Sequence, residues 1–512
     1  MRKGSITPFC ALSLMLVASL LFALLESARF SGLDRYAGMK ADAAIDSVCA
    51  EYQPFLWQQY GLLFLDGAYG TEEFSMGYVV EQLEQYMEQD GVKEDWLINW
   101  FGVDLFRLEK EEILLEGYAL AADDDGELFL NYVAGRAKEK LPIGIAEDLF
   151  SQYQKMSSLE AEYGGMEESV TKAQDAIAQA KSDWVARQED ELLKKENGAG
   201  QNMPDHDEIL QQPDTSIIDA LLSSAQQLRS ENTLHMIFGG LSGVSSVSCK
   251  LSETMQVRHR QEGTMHLSAE KDWYQKLLAL TYLESYFSNY VNPKEGHLLS
   301  YEMEYVLCGE DTEEKNLAGT LDRLLLLREA ANLAHVLADS KKMAQIEEAT
   351  GVIGLLAGGN YAVAKAVEIG LAGVWAYAES VLDVRALAQG EKIPFLKQES
   401  EWTLDLSEIF RARNKDEKAK MCTGGLGYTD YLKQLLFLTG NQKLAYRMME
   451  VMELGMQGQK EYENCRMDHM IVMLRFKVRW KGMPVFSELI TVGEVYRGNY
   501  IFSKEIERSY IP

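Results

Sequence analysis

The first candidates for chemistry are carboxylate pairs on segments with a helical pattern. Glu379 and Asp383 are four residues apart, so a helix would place both carboxylates on one face, where an acid and a base could meet. Arg385 follows closely, and we expect these three side chains to form a structural ion-pair network rather than a catalytic dyad. Glu302 and Glu304 are two residues apart and would point to diverging faces of a helix, which disfavours a shared metal ion.

The remaining reactive side chains lack the spacing that metal sites and hydrolases need. Asp123, Asp125 and Glu127 do not complete the ligand pattern of a calcium loop. The seven histidines form neither an HExxH motif nor a pair at zinc-binding helical spacing. The glycine-rich segment 422–427 has no P-loop lysine and no Rossmann spacing, and the chain has no GxSxG nucleophile elbow. We therefore expect no enzymatic activity, no metal ion and no cofactor.

The composition is that of a folded and strongly acidic protein. Of 512 residues, 47% are hydrophobic and 25% are charged, with a net charge of −29. This balance is typical of a globular chain of about two to four domains with a large core. The negative charge would repel nucleic-acid phosphates, so we expect no nucleic-acid partner. The six cysteines show no metal spacing and leave any disulfide pairing open.

These residues follow an N-terminal segment of the membrane-spanning type. Arg2 and Lys3 precede Ile6–Leu25, twenty residues without a charge, which as a helix would cross roughly 30 Å of hydrocarbon. The basic flank predicts a cytoplasmic N-terminus and an extracytoplasmic body. The alternative is a cleaved secretory signal, but Glu26 and Arg29 fit its small-residue cleavage site poorly. We expect a single-pass anchor in the cell membrane that contacts the bilayer through Ile6–Leu25.

The pattern of the remaining chain predicts a mainly α fold with a small discontinuous β-sheet, in the α+β class. The expected domains are the anchor (1–30), the first part of the ectodomain (31–156), a projecting helical or coiled-coil arm (157–232, with a polar loop at 196–216), and a helical core with C-terminal strands (233–512). Ile217–Leu228 is predicted to pack back along the arm as an antiparallel hairpin. Alternation predicts strands at Val244–Cys249 and at Met473–Trp480, the second half-buried with a basic face.

Two short motifs flank the apolar segment. Lys3-Gly4-Ser5 stands immediately before it, and Glu26 and Arg29 mark its end. The first resembles the processing site of type IV prepilins and of Tad pseudopilins, and the second resembles the helix exit of TadE-like proteins. The resemblance implies that a peptidase cuts between Gly4 and Ser5 and leaves the helix attached. At the fifth residue after this junction pilins usually carry glutamate, whereas this chain carries Phe9.

Longer segments carry a second resemblance. They are 51–66, 301–309, 376–402, 428–432 and 446–449, of which 376–402 is the most specific. They resemble an uncharacterised group of Gram-positive membrane-anchored proteins, the domain-of-unknown-function family 5702 (DUF5702). The resemblance covers most of the chain and is weakest around 157–216. It implies an association with Tad-type pilus or secretion machinery. It implies no functional residue apart from the Gly4–Ser5 junction.

Together these features predict a non-enzymatic, membrane-anchored surface protein. We expect it to be a component of, or accessory to, a Tad-type pilus or secretion assembly, with envelope or pilus proteins as partners. The alternative is an extracytoplasmic module that binds or senses a small ligand. That alternative requires a deep pocket lined by apolar groups and a few convergent polar ones.

Overall fold

The computed structural model describes residues 6–88, 105–106, 108–164, 167–198, 212–265, 272–422, 424–486 and 498–511. These residues are mostly helical and include a small antiparallel sheet of four strands, which confirms the predicted fold class. The chain divides into two compact units. The first comprises Met1–Arg136, Glu253–Lys271 and Met452–Pro512, and the second comprises Ala137–Ser252 and Asp272–Val451. The four domains expected from the sequence remain a prediction.

The first unit begins with one uninterrupted helix, α1 (Ile6–Cys49), of 44 residues. Its apolar part is exposed: an 18-residue window with a mean hydropathy of 2.4 has no buried residue. Further along α1 the buried residues recur every three to four positions, as one stripe of a helix. They are Leu33, Ala37, Ala41, Ala44, Ile45 and Val48. By length and composition α1 could be a membrane anchor or a signal sequence.

The buried stripe of α1 packs on the sheet of the first unit. The strands are β1 (Leu65–Asp66), β2 (Leu108–Leu120), β3 (Met470–Gly482) and β4 (Tyr500–Ser509). β3 pairs antiparallel with each of the other three, with β2 along one edge and β1 and β4 along the other. Leu474, Phe476, Val478 and Trp480 point into the core, whereas the intervening Arg475 is exposed. The half-buried strand predicted at Met473–Trp480 is therefore confirmed.

Among its described residues the first unit also contains three shorter α-helices, α2 (Pro54–Tyr60), α3 (Met76–Glu88) and α4 (Glu127–Ala137). Pro54 opens α2, where its missing N–H costs nothing because the first helical N–H groups have no partner within the helix. The irregular segment 253–265 is fastened to this unit by the buried Arg258. Its guanidinium lies 2.5 and 2.7 Å from the two carboxylate oxygens of Glu453 and also contacts Asp468.

The second unit is built from helices, of which α11 and α13 contribute the largest numbers of buried residues. The α-helices among its described residues are α5 (Ile143–Tyr163), α6 (Glu167–Gly198), α7 (Ser216–Ser230), α8 (Thr233–Phe238), α9 (Trp273–Tyr286), α10 (Glu302–Cys308), α11 (Glu313–Ala338), α12 (Ser340–Leu356), α13 (Tyr361–Ala388), α14 (Tyr428–Phe437) and α15 (Asn441–Gln457), which runs past the unit boundary. The strand predicted at Val244–Cys249 was wrong, because this segment forms only one isolated bridge, between Ser248 and Thr312.

The predicted arm corresponds to α6 and α7, and these two helices pair antiparallel as expected. Lys181 lies 2.7 Å from Asp219, and Nε2 of Gln226 donates to Oε1 of Gln174 at 2.7 Å. The first half of α6 also packs on α13, where Ala173 occupies the space that a Cβ on Gly370 would need. The coiled coil remains a prediction, and residues 199–211 of the predicted loop lie outside the described residues.

Candidate functional site

The predicted processing junction between Gly4 and Ser5 lies outside the residues that the structure describes, which begin at Ile6. This junction therefore remains a prediction. The structure does describe the opposite end of the apolar segment, where the first charged residues of α1 follow Leu25. That end contains a buried polar site of its own.

Glu26 and Arg29 are buried at this end of the apolar segment and bind each other, with Nη1 of Arg29 3.1 Å from Oε1 of Glu26. Arg29 also donates to two backbone carbonyl oxygens, and Oε2 of Glu26 accepts from two backbone N–H groups. These partners are Leu105 O (2.6 Å), Met483 O (2.7 Å), Val485 N (3.1 Å) and Phe486 N (2.6 Å). The pair thus binds backbone groups of two segments, one just before β2 and one just after β3.

The carboxylate pair Glu379 and Asp383 lies in the interior of the second unit. The two residues are one turn apart on α13, and both side chains are fully buried. The ammonium group of Lys397, from the segment 393–404 (hereafter the strap), reaches both: it contacts Glu379 and lies 2.5 Å from Oδ1 of Asp383. Glu379 also accepts hydrogen bonds from two backbone N–H groups of the strap, at 2.9 and 3.0 Å.

α11 supplies the second cation of this group. Nε and Nη2 of Arg328 donate to Oδ2 of Asp383 at 3.0 and 2.8 Å, and Nδ2 of Asn332 donates to the same oxygen at 2.9 Å. Nη1 of Arg328 donates to two carbonyl oxygens of the strap and to the hydroxyl of Tyr431 (2.9 Å). We call Arg328, Asn332, Glu379, Asp383 and Lys397 the strap cluster.

Two cations and two carboxylates give the strap cluster a formal charge of zero. Burial alone would raise the pKa of Asp383, but the charges of Lys397 and Arg328 outweigh burial and hold this pKa below its ordinary value. Burial likewise opposes the charge on Lys397, whereas Asp383 and Glu379 raise its pKa above the ordinary value. A carboxylate such as Asp383, which stays ionised and is enclosed by donors, is poorly placed to exchange protons with a substrate. The arrangement instead fastens the strap to α11 and α13.

Arg385 does not join this cluster, so the expected three-member network was wrong in that respect. Its guanidinium donates to the backbone oxygens of Met236 (2.7 and 3.1 Å), Asn414 (2.8 Å) and Glu417 (3.1 Å). Two residues along a helix correspond to a rotation of about 200°, which points Arg385 away from Asp383. Burial lowers its pKa to about 10.

Glu302 and Glu304 belong to a second group of buried carboxylates, completed by Glu313 of α11. We call these three residues the loop acids, because each accepts a backbone N–H from segment 288–301. These bonds come from Ser288 N to Glu302 (2.8 Å), Tyr290 N to Glu304 (2.9 Å) and Tyr301 N to Glu313 (2.7 Å). As expected from their spacing, Glu302 and Glu304 have different partners.

The loop acids are enclosed mainly by neutral or weakly basic groups. Nδ1 of His297 lies 2.8 Å from Oε1 of Glu302, and the hydroxyl of Tyr428 donates to Oε1 of Glu304 at 2.8 Å. The other oxygen of Glu304 is buried without a hydrogen-bond partner among the described residues. Burial, assisted by the like charge of Glu313, raises the pKa of Glu304 to about 7.

The other sequence candidates occupy turns. Asp123 accepts from the N–H groups of Leu120 (2.7 Å) and Gly263 (3.0 Å), so its carboxylate closes the turn before α4. Cys422 precedes the loop that leads into α14, as the glycine-rich pattern predicted, and burial raises its pKa. In the described part of the chain, no three His, Cys, Asp or Glu residues converge in a group that could hold a metal ion.

Sequence reasoning missed Lys397 and Arg328, the two cations that neutralise Glu379 and Asp383. Each follows a run of four apolar residues, 393–396 and 324–327 respectively. Lysine and arginine are rarely fully buried, so such a run gives no signal that the cation behind it lies in the core. A buried cation needs an anion, but the sequence does not show that these two cations are buried.

The sequence profile of a family of unknown function (DUF5702) matches residues 211–482, more than half of the chain. The chain belongs to this family. The DUF5702 match includes the strap cluster, the loop acids and β3, whereas α1 and α6 precede it. The buried polar groups of the second unit are therefore part of what the family profile describes. Comparison with curated proteins and with solved structures yields no match.

Proposed function

We propose that this DUF5702 protein is a non-enzymatic, membrane-anchored surface protein and a component of, or accessory to, a Tad-type pilus or secretion assembly. The observation that carries the proposal is the continuity of α1. Its exposed apolar part and the part that packs on the sheet belong to one helix of 44 residues, about 66 Å long. A body joined to its anchor without a flexible link keeps a fixed direction relative to the membrane, as a repeating assembly requires.

Charge and sequence support the orientation in this proposal. Arg2 and Lys3 precede the apolar segment and favour a cytoplasmic N-terminus, which leaves the acidic body outside. The link to a Tad-type assembly rests on the prepilin-like Lys3-Gly4-Ser5 sequence and on the TadE-like end of the helix. A Gram-positive source belongs to the same proposal.

The buried charged groups support a structural role for the second unit. The strap cluster has balanced charges, and both it and the loop acids bind backbone groups of neighbouring segments. Such groups hold irregular segments in place, which is a sufficient reason for their burial. The buried charged residues of the strap cluster and of the loop acids thus have a structural role that requires no catalytic activity.

The decisive experiment is mass spectrometry of the N-terminus of the native, membrane-extracted protein. We expect a terminus at Ser5 with the apolar helix retained, and a Gly4→Leu variant that keeps its original terminus because the junction is destroyed. A terminus at Met1 or Arg2 in the native protein would argue against prepilin-type processing. A terminus beyond Leu25 would show instead that the apolar segment is a removed signal.

A second experiment addresses the assembly itself. Crosslinking of intact cells, followed by purification of the protein, is expected to recover pilus or secretion components together with it. The Gly4→Leu variant is the matched control, since it should remain in the membrane but enter the assembly less efficiently. Recovery of no such component from cells that express the native protein would remove support for this role.

A further inference from the structure

We propose that the loop segment after β3, Met483-Pro484-Val485-Phe486, inserts into the outer boundary of the same bilayer that holds α1. This inference rests on the membrane-anchoring part of the proposed function and adds a second lipid contact to it. The segment belongs to the first unit, as does α1, and the two are in direct contact. We call it the β3–β4 tip.

The position of Phe486 carries the first step. Its ring stacks on that of Phe22, with ring centroids 6.3 Å apart and an interplanar angle of 15°. Phe22 lies within the apolar segment, three residues before its end at Leu25, which corresponds to roughly 5 Å along the helix. A bilayer that covers the apolar segment to Leu25 therefore also reaches Phe486.

The backbone of the β3–β4 tip is prepared for an apolar environment. A loop can enter the hydrocarbon region only if its N–H and C=O groups are bound, because lipid offers no partners. Glu26 accepts hydrogen bonds from the N–H groups of Val485 and Phe486, and Arg29 donates a hydrogen bond to the carbonyl oxygen of Met483. Pro484 has no N–H to satisfy. The buried Glu26–Arg29 pair thus removes much of the cost of placing this loop at the membrane boundary.

The side chains of the tip match the same environment. All four are apolar, and residues 482–486 include no polar side chain. Met483 is nevertheless 51% exposed. Five residues beyond Leu25, roughly 7 Å further along α1, Phe30 packs against Tyr500 and Phe502, with ring centroids 5.2 and 5.1 Å away. A tyrosine at this level is typical of the interface between membrane and water. The exposed apolar surface of α1 therefore continues onto the tip instead of ending at Leu25.

Lipid photolabelling of the unmodified full-length protein tests this inference. The protein is reconstituted in phosphatidylcholine vesicles in which a diazirine is attached to the acyl chain, either near the carbonyl end or at the methyl end. Crosslinked peptides are then mapped by mass spectrometry. We expect the carbonyl-end probe to label both residues 20–25 and residues 483–486, and the methyl-end probe to label only the middle of the apolar segment. The exposed end of β4 near Ser509 is the internal control that should stay unlabelled.

The other outcomes separate the two proposals. Labelling of α1 without labelling of residues 483–486 would overturn the inference and leave the anchor intact. A tip that a second copy of the chain covers, and that lipid therefore cannot reach, would overturn it in the same way. Absence of label from both segments would contradict the membrane anchor itself. A Val485→Asp and Phe486→Asp double variant should lose the label at the tip and keep that on α1, because an ionised side chain at this depth is strongly disfavoured.

Discussion

Two sets of buried carboxylates in the second unit differ in what neutralises them. In the strap cluster, Asp383 faces two cations at hydrogen-bonding distance and has a lowered pKa. Among the loop acids, Glu304 is held by a backbone N–H and a tyrosine hydroxyl, and its pKa is raised to about 7. Both carboxylates are fully buried, so burial alone does not decide their charge. The partners decide it.

The two sets of carboxylates therefore stabilise the fold in different ways. The strap cluster is an ionic network whose members depend on one another, since removal of one cation leaves an uncompensated charge in the interior. Glu304 can avoid that cost by binding a proton. We therefore expect the strap cluster to be sensitive to substitution and Glu304 to be sensitive to pH.

The largest effect is expected for Lys397→Met, which keeps the apolar stem and removes the charge. Asp383 would then keep Arg328 as its cation, whereas Glu379 would keep only backbone N–H donors, and we expect the free energy of unfolding to fall by about 3–5 kcal/mol. The measurement is denaturant unfolding of the detergent-solubilised full chain, followed by tryptophan fluorescence, because Trp402 lies within the strap.

The matched control for this substitution is Lys341→Met. Lys341 pairs with Glu399 at 2.8 Å, but both side chains are exposed, so the expected loss of stability is much smaller than that of Lys397→Met. Equal losses for Lys397→Met and Lys341→Met would show that the strap cluster contributes no more than a surface ion pair.

The second-largest effect is expected for Glu304→Gln, which should change how the free energy of unfolding depends on pH. The folded state holds the proton of Glu304 more tightly than the unfolded chain, in which the pKa is near its ordinary value of 4.5. The stabilising contribution is therefore fully present below pH 4.5 and is lost as the pH rises through about 7. Between these limits the loss amounts to about 3 kcal/mol.

Glutamine has no proton to lose, so the stability of Glu304→Gln relative to the wild type should increase by about this amount between pH 4.5 and pH 8. The measurement is denaturant unfolding of both proteins across this pH range. The exposed Glu348→Gln serves as the control and should show no such trend. Parallel pH profiles for the wild type and Glu304→Gln would mean that Glu304 is ionised in the folded protein.

The strap cluster shows where sequence reasoning succeeds and where it stops. The four-residue spacing correctly placed Glu379 and Asp383 on one face of a helix, because helical geometry depends only on local separation. Lys397 and Arg328 are 14 and 55 residues from Asp383. Their approach depends on how α11 and the strap fold against α13, and no local pattern encodes that packing.

The same distinction holds for the fold. The uncharged run of α1 and the alternation of β3 were readable, because each reflects the period of a single element and the environment of its faces. Val244–Cys249 has the alternation of a strand but makes one bridge, because a strand also needs a partner along its length. The buried, cation-poor setting of Glu304 was likewise unreadable, since it comes from residues far apart in the chain.

The smallest effect is expected on the exposed face of β3, where ion pairs resemble those of the strap cluster in composition but not in burial. Lys477 lies 2.9 Å from Glu505 on β4, and about a third of its side chain is exposed. Solvent weakens such a pair, so Lys477→Gln should lower the free energy of unfolding only slightly, far less than Lys397→Met. Raising the salt concentration to about 1 M shortens the screening length to roughly 3 Å and should abolish this small difference. The loss caused by Lys397→Met should persist in the same buffer, because its charges are out of contact with the solvent. If salt removed both differences equally, burial would not be what separates the two regions.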